Sequence, residues 1–254
     1  MQLIIAPAKK MQVDHDSFAP TTWPQYLAEA QVLLNALRRL SYDEVKAVWR
    51  CSEQLAKPNY AWLHHMALQK EVSPAVMSYV GIQYQSMAPG LLTEAGLTYL
   101  SAHLRILSGF YGVLRPFDAV VPYRLELGSR LPVGRAKNLY DFWGDRLYRA
   151  LDWTGPVVNL ASNEYAKAVT PYLQPTDRFV TVVFGTLKDG KIKTRATYAK
   201  QARGAMVRFA AEHQLTTPAG LKAFDDPRYR YAATYSTRDR LVFLSTEKTR
   251  RKGG

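Results

Sequence analysis

The amino-acid sequence predicts a mixed fold of the α+β class, a single compact domain in which helices surround a mixed sheet. Short apolar segments typical of buried strands are interspersed with segments of helical periodicity, and their order lacks the strict alternation of a doubly wound sheet. With 254 residues, of which 47% are hydrophobic and 22% charged, the chain can bury a sizeable core. No internal repeat or Gly/Ser-rich linker divides it. We therefore expect one domain over residues 1–254, with a mobile basic tail over about 247–254.

The N-terminal part of the chain is predicted to form one buried strand and two helices. Gln2–Ile5 is an apolar run of strand length. Residues 26–40 place apolar side chains at helical spacing, which predicts the first helix. Ser41 followed by Glu44 is a capping-box pattern, and it predicts a second helix that runs to about Leu55.

The middle of the chain is predicted to contribute two more helices. One helix is predicted because four leucines would fall on one of its faces: Leu97, Leu100, Leu104 and Leu107. It is expected to end at Ser108-Gly109. Asn138 can cap the other helix, which is expected to continue through Leu151.

The last hundred or so residues are predicted to hold strands, a hairpin and one long helix. Residues 157–160 form a short apolar strand, and a helix then begins at Ser162. Asp189-Gly190 is a strong hairpin signal between two alternating segments, residues 179–184 and 192–198. The remaining elements are a helix and a late strand, over about residues 200–213 and 241–244.

The positive charge of the chain is unevenly distributed. The net charge is +13, yet residues 1–102 carry equal numbers of acidic and basic side chains. The excess lies in three later segments, residues 103–149, 188–208 and 226–254, with net charges of +4, +6 and +5. If the fold brings these segments together, their charge favours the binding of a polyanion. The alternative interpretation is a basic surface that serves only solubility.

Several classes of protein are excluded by composition and motif. A single cysteine, Cys51, allows no disulfide within the chain, and no signal peptide or membrane-length apolar run is present. We therefore expect a soluble cytoplasmic protein that does not enter a membrane. The segment 185–191 matches the start of a phosphate-binding P-loop, but Ile192 replaces the magnesium-ligating Ser/Thr and a strand pattern follows. We therefore interpret this segment as a hairpin turn and not as a P-loop. No histidine cluster has metal-ligand spacing, so we expect neither a metal nor a cofactor.

Several motifs in order along the chain resemble those of the YaaA peroxide-stress protein family. His-Leu-Arg-Ile-Leu-Ser-Gly-Phe-Tyr-Gly-Val-Leu-Arg-Pro-Phe-Asp over residues 103–118 is similar to the family's signature segment. The resemblance continues through four further segments, residues 122–128, 137–145, 159–165 and 198–204. It implies a cytoplasmic protein that limits peroxide damage, in a family associated with lower free iron and with protection of DNA.

The resemblance also implies a positively charged cleft and a helix-hairpin-helix-like element that binds DNA. Here that element would consist of the helix ending at Leu107, the hairpin of residues 108–112 and the turn that follows. Gly109 and Gly112 would open backbone amides to a phosphate, with Arg105 and Arg115 beside them. A helix-capping glycine followed by a packed turn explains the same residues.

We therefore expect double-stranded or structured DNA as the partner, bound mainly through its phosphates. The sequence indicates no oligomeric state. The predicted nucleic-acid-binding residues are Lys10, Arg105, Ser108, Gly109, Tyr111, Gly112, Arg115, Arg124, Arg135, Lys137, Lys200 and Arg203.

A pocket around residues 159–164 supports an alternative function, an enzyme acting on a nucleotide or nucleic-acid component. Polar side chains gather where the strand that contains Asn159 meets a helix start, a common location for ligand sites. If Lys9 converges on Ser162 and Glu164, the three could serve as acid and base. Helix capping by Ser162 and helix-dipole compensation by Glu164 explain the same residues without catalysis.

Overall fold

The computed structural model of the protein describes residues 1–14 and 16–246, and the expected tail over 247–254 lies outside them. The strands are β1 (Gln2–Ile5), β2 (Lys10–Met11), β3 (Ser73–Pro74), β4 (Tyr79–Val80), β5 (Leu104–Ser108), β6 (Gly112–Leu114), β7 (Ala119–Val120), β8 (Val157–Asn159), β9 (Phe179–Lys188), β10 (Lys191–Lys193), β11 (Tyr229–Tyr231) and β12 (Arg240–Ser245). The α-helices are α1 (Leu27–Arg38), α2 (Tyr42–Trp49), α3 (Glu53–His65), α4 (Ala75–Ser78), α5 (Ile82–Met87), α6 (Glu94–His103), α7 (Leu139–Trp143), α8 (Arg146–Arg149), α9 (Asn163–Ala166) and α10 (Ala196–Glu212).

Within the described residues, eight strands form one mixed sheet, in the order β11-β12-β9-β8-β1-β5-β6, with β10 paired to β9. The inner pairs β12–β9, β9–β8, β8–β1 and β1–β5 are parallel. Strands β6 and β11 pair antiparallel with their neighbours and close the two ends of this path. The mixed sheet surrounded by helices confirms the predicted fold class.

Strand β1 lies near the middle of the sheet because its side chains are almost all apolar. Leu3, Ile4 and Ile5 have no exposed surface, as expected of a parallel strand that is covered on both faces. The Gln2 side chain accepts a hydrogen bond from the Asp152 amide at 2.9 Å, so the polar residue of the strand is also satisfied. The predicted strand over Gln2–Ile5 is confirmed.

The leucine-rich segment from Leu97 to Leu107 is not one helix, and the helix-hairpin-helix prediction for it is wrong. Helix α6 ends at His103, and Leu104–Ser108 forms strand β5 between β1 and β6. Residues 109–111 then turn directly into β6, so a β-hairpin occupies the place of the second helix. The leucine spacing fits a helix locally, but pairing with β1 on one side and β6 on the other supplies ladder hydrogen bonds that the isolated segment lacks.

Two other predicted helices are each divided by a residue with positive φ. Ser41 forms the expected capping box with Glu44, but α2 ends at Trp49, its C-cap Arg50 has a φ of 46°, and α3 starts after Ser52. Asn138 caps α7 through the amide of Asp141, but Gly144 has a φ of 50° and separates α7 from α8. Continuation of a right-handed helix requires negative φ, so both breaks are local.

The predicted hairpin and long helix are present with shifted bounds. Asp189 and Gly190 both have positive φ, the conformation that a two-residue hairpin turn requires between β9 and β10. Strand β10 ends at Lys193 rather than at Tyr198, because α10 already begins at Ala196. No helix in residues 1–14 and 16–246 combines the length and apolar character needed to cross a lipid bilayer.

Candidate functional site

A cavity of about 370 Å³ lies beyond the C-terminal ends of β1 and β8, and we call it the cleft. These two strands are adjacent and parallel, so the segments that follow them leave the sheet at the same edge. Residues 6–10 follow β1, and Ser162 and Glu164 follow β8 shortly after its end. Residues 123–126 and side chains of α5 and α10 complete the wall.

The charged lining of the cleft is predominantly cationic. Five basic side chains line it, which we call the cleft cations: Lys9, Lys10, Arg124, Lys200 and Arg203. Two carboxylates, Glu126 and Glu164, share the same wall. The Lys9 ammonium lies 2.7 Å from Glu126, and this is an ion pair within the cleft. Within the described ranges, no three His, Cys, Asp or Glu side chains group as a metal site would require.

Arg124 and Arg203 present guanidinium groups that the described part of the protein does not satisfy. The Nε atom of each is buried and has no hydrogen-bond partner among the described residues. Burial also lowers the pKa of Arg203 from its ordinary value, because the charged guanidinium loses hydration. A buried donor without an acceptor is costly, so neither guanidinium is fully satisfied by the described part of the protein.

The close approach of α10 to α5 places Arg203 in the cleft. At Gly204 an added Cβ would lie 1.9 Å from the backbone oxygen of Gln83, so a larger residue cannot occupy this position without moving a helix. Gln83 and Tyr84 donate hydrogen bonds to the carbonyl of Ala6, at 3.2 and 3.1 Å. The same short helix therefore contacts both α10 and the loop after β1.

A buried cluster of tyrosines supports the floor of the cleft. The Tyr123 hydroxyl lies 2.8 Å from that of Tyr79 and 2.7 Å from the Ser108 hydroxyl. Burial raises the pKa of Tyr123 to about 12, and it raises the pKa values of Tyr84 and Tyr165 well above their usual range. These phenols therefore remain protonated and neutral at physiological pH.

The structure brings Lys9, Ser162 and Glu164 to one cavity. Ser162 stands at the N-cap position of α9 but makes no capping hydrogen bond with its side chain, so the capping explanation does not account for it. One carboxylate oxygen of Glu164, Oε1, accepts a hydrogen bond from the Gly128 amide at 2.9 Å. Asn159 is buried and accepts a hydrogen bond from the Ala161 amide, and this contact shapes the turn out of β8.

The predicted phosphate grip at residues 108–112 is buried, which corrects its assignment to nucleic acid. The Ser108 hydroxyl accepts hydrogen bonds from the Phe110 and Tyr111 amides, which are therefore already engaged. Ser108 and Tyr111 have no exposed surface, and Gly109 and Gly112 are also buried. An added Cβ at Gly109 would lie 2.8 Å from the neighbouring backbone, so this glycine serves packing.

Arg105 and Arg115 line a second, separate cavity and are held by protein groups. Arg115 pairs with the buried carboxylate of Asp118 at 3.1 Å and donates to the carbonyl of Trp23. Arg105 donates to the carbonyl of Leu104, and burial together with the nearby Arg115 charge lowers its pKa. Two other predicted residues, Arg135 and Lys137, are exposed in a loop that does not line the cleft.

Four cleft-lining residues that matter for its shape were not predicted from the sequence: Gln83, Tyr84, Tyr123 and Tyr165. From the sequence alone the three tyrosines cannot be distinguished from ordinary core residues. Gln83 belongs to none of the motifs described above, and a turn precedes its helix, α5. The contact between α10 and α5 had one signal in the sequence, Gly204, because a glycine inside a helical segment indicates a close approach of another element.

Comparison with known proteins shows similarity over nearly the whole chain. Residues 1–235 match the model of a family described as "Peroxide stress protein YaaA". A UPF0246 protein of Lactiplantibacillus plantarum is 54% identical over 245 residues, which cover 96% of this chain and 99% of the relative. UPF0246 proteins of Lacticaseibacillus casei and Agathobacter rectalis are 53% and 43% identical, each over 96% of this chain and over 100% and 98% of the relative.

Proposed function

The chain belongs to the YaaA peroxide-stress protein family, and from that premise we propose that it binds DNA through the cleft. In this proposal it is a cytoplasmic protein that contacts mainly the phosphates and helps to limit iron-dependent oxidative damage to the bound DNA. A protein that lies on DNA during peroxide stress can shield it without reading its sequence, because phosphate contacts are independent of the bases.

The observation that carries the proposal is the set of cleft cations. Of the five, only Lys9 forms an ion pair with a described residue, which leaves four positive charges directed at one concave surface. The two carboxylates reduce the net charge of the lining from +5 to +3, and a concave surface with a net positive charge attracts polyanions.

Two of the three basic segments contribute to the cleft. Arg124 comes from residues 103–149, and Lys200 and Arg203 come from residues 188–208. The third segment adjoins the same helix, because Arg228 donates a hydrogen bond to Gln201 at 2.6 Å and lies over the ring of Tyr198. Charge that is dispersed along the sequence is therefore partly concentrated around α10.

Fluorescence anisotropy of a labelled DNA duplex across a salt series tests the proposal. Replacing two exposed lysines of the cleft, as Lys10→Glu/Lys200→Glu, should weaken binding at least about tenfold and reduce the salt slope by about two. The matched control is Lys70→Glu/Lys222→Glu, which makes the same charge change at exposed positions outside the cleft. Equal losses in both pairs, or undiminished binding by the cleft pair, would contradict the proposal.

A second candidate function, catalysis on a nucleotide or nucleic-acid component, is favoured by one specific observation. Lys9, Ser162 and Glu164 line the same cavity, with the Lys9–Glu126 ion pair beside them. An ammonium, a hydroxyl and carboxylates in one concave site are the groups that general acid–base chemistry uses.

A further inference from the structure

Arg124 and Arg203 are the strongest sign that the cleft is built for a ligand. They come from different parts of the chain, a loop and α10, yet both line the cleft with a buried Nε that lacks an acceptor among the described residues. Neither guanidinium forms an ion pair with a described carboxylate, although Glu126 and Glu164 line the same cavity. Planar guanidinium forks suit phosphate oxygens, because one fork can donate two parallel hydrogen bonds.

The rest of the cleft is suited to a compact organic body rather than to a free inorganic ion. Its volume of about 370 Å³ falls in the range of small-molecule sites. Apolar side chains of Pro7, Val80, Ile82 and Leu125 line it beside the buried rings of the tyrosine cluster. A ligand that fills this space therefore carries an apolar or aromatic part in addition to its anionic group.

We propose that the cleft holds one nucleotide, with its phosphate on Arg124 and Arg203 and its base against the apolar wall. The inference deepens the proposed function and rests on it for the source of the nucleotide in bound DNA. A free mononucleotide has the same chemistry, so both sources are tested. Glu126, Glu164 and Ser162 then offer acceptors and a hydroxyl to the sugar or base.

Isothermal titration calorimetry tests the inference with three probes: a deoxynucleoside 5′-monophosphate of each base, the matching nucleosides, and inorganic phosphate. The monophosphate of at least one base should bind at least about tenfold more tightly than its nucleoside or phosphate alone. Arg124→Met and Arg203→Met should each weaken that binding at least about tenfold, whereas Lys70→Met should not change it. Absence of binding by every monophosphate, or equal binding by the methionine variants, overturns the inference.

Thermal unfolding without ligand separates a binding role from a structural role. The methionine variants should unfold at a temperature no lower than the parent chain, because they remove a partly buried guanidinium whose Nε has no acceptor among the described residues. A large fall in that temperature would mean that the arginines support the fold, and it would overturn the inference. Arg203→Lys keeps the charge but not the fork, so it should bind more weakly than the parent and more tightly than Arg203→Met.

Duplex binding measured on the same samples distinguishes the two proposals. If the parent chain binds duplex but no mononucleotide, the inference fails and the proposed function stands. If it binds mononucleotide but no duplex, the inference stands and the proposed function fails. A duplex with one extrahelical nucleotide identifies the source, because a nucleotide taken from DNA should make this duplex bind more tightly than a fully paired one. Equal affinity for the two duplexes assigns the cleft to the free mononucleotide.

Discussion

Glu164 combines a structural contact with a position in the cleft. One of its carboxylate oxygens accepts the Gly128 amide, and its own carbonyl accepts the hydroxyl of Tyr140 at 2.9 Å. The added Cβ of a larger residue at Gly128 would lie 3.1 Å from the Glu164 carboxylate, so the side chain is closely confined. A glutamine can keep the hydrogen bond from Gly128 but cannot serve as a general base.

The Glu164→Gln variant therefore separates catalysis from folding. We expect it to fold and to retain duplex binding, because removal of a negative charge does not weaken attraction to a polyanion. If the cleft is catalytic, the variant should lose the ability to protect peroxide-treated cells, measured as survival of a strain that depends on this gene.

Glu212→Gln is the matched control, since that carboxylate pairs with Arg208 on α10, outside the cleft. The control should protect cells as well as the parent chain does. Full protection by Glu164→Gln would contradict catalysis by this carboxylate, whereas loss of its folding would assign Glu164 to the structure.

At the residue scale, sheet geometry made part of the site predictable. Lys9, Ser162 and Glu164 come after apolar strands, and adjacent parallel strands bring their succeeding segments to one edge of the sheet. Burial of Ser108 and Gly109 was not predictable from their local sequence, because it depends on the packing of residues 125–127 against the hairpin. Glycines that suit a phosphate grip equally suit tight packing.

At the element scale, the segment from Leu97 to Leu107 shows the limit of periodicity. The first part is helix α6 and the second part is strand β5, although the leucine spacing is helical throughout. The spacing of apolar residues indicates only which side chains would share a face of a helix. Residues 104–108 form a strand because they pair with β1 and β6. Caps were predicted better, since Ser41 and Asn138 both act within three residues of their own position.

The contact between α5 and α10 gives a prediction at the same scale. Gly204→Ala would normally stabilise a helix by about 1 kcal/mol, because alanine has the higher helix propensity. Here the new Cβ would meet the backbone oxygen of Gln83, so we expect a loss of about 2 kcal/mol or more in the free energy of unfolding. Urea denaturation measures the difference.

Gly96→Ala is the control for this helix–helix contact. Gly96 also lies in a helix, but the atoms nearest to its added Cβ would belong to the Leu92 side chain, at 3.1 Å and beyond, rather than to backbone. We expect a change smaller than about 1 kcal/mol at this position. If Gly204→Ala is as mild as the control, α10 does not lie against the backbone of α5, and the placement of Arg203 in the cleft is wrong.

At the scale of the whole molecule, the sequence predicted which segments are basic but not how their charges are arranged in space. Net charge by segment identified the basic regions but not their arrangement. The fold places Arg124, Lys200 and Arg203 around one cleft, and it directs Arg105 and Arg115 to another cavity. Only the pairing of distant strands and the packing of α10 determine which charges meet, and neither is encoded in local composition.

Lysine footprinting by mass spectrometry, with and without duplex DNA, tests binding at the cleft most directly. Acetylation of Lys10 and Lys200 should fall several-fold when saturating duplex is present, because bound phosphates cover their ammonium groups. Lys70 and Lys222, which are exposed outside the cleft, should react equally in both samples. Unchanged acetylation of Lys10 and Lys200 in a sample that demonstrably binds the duplex would contradict the account.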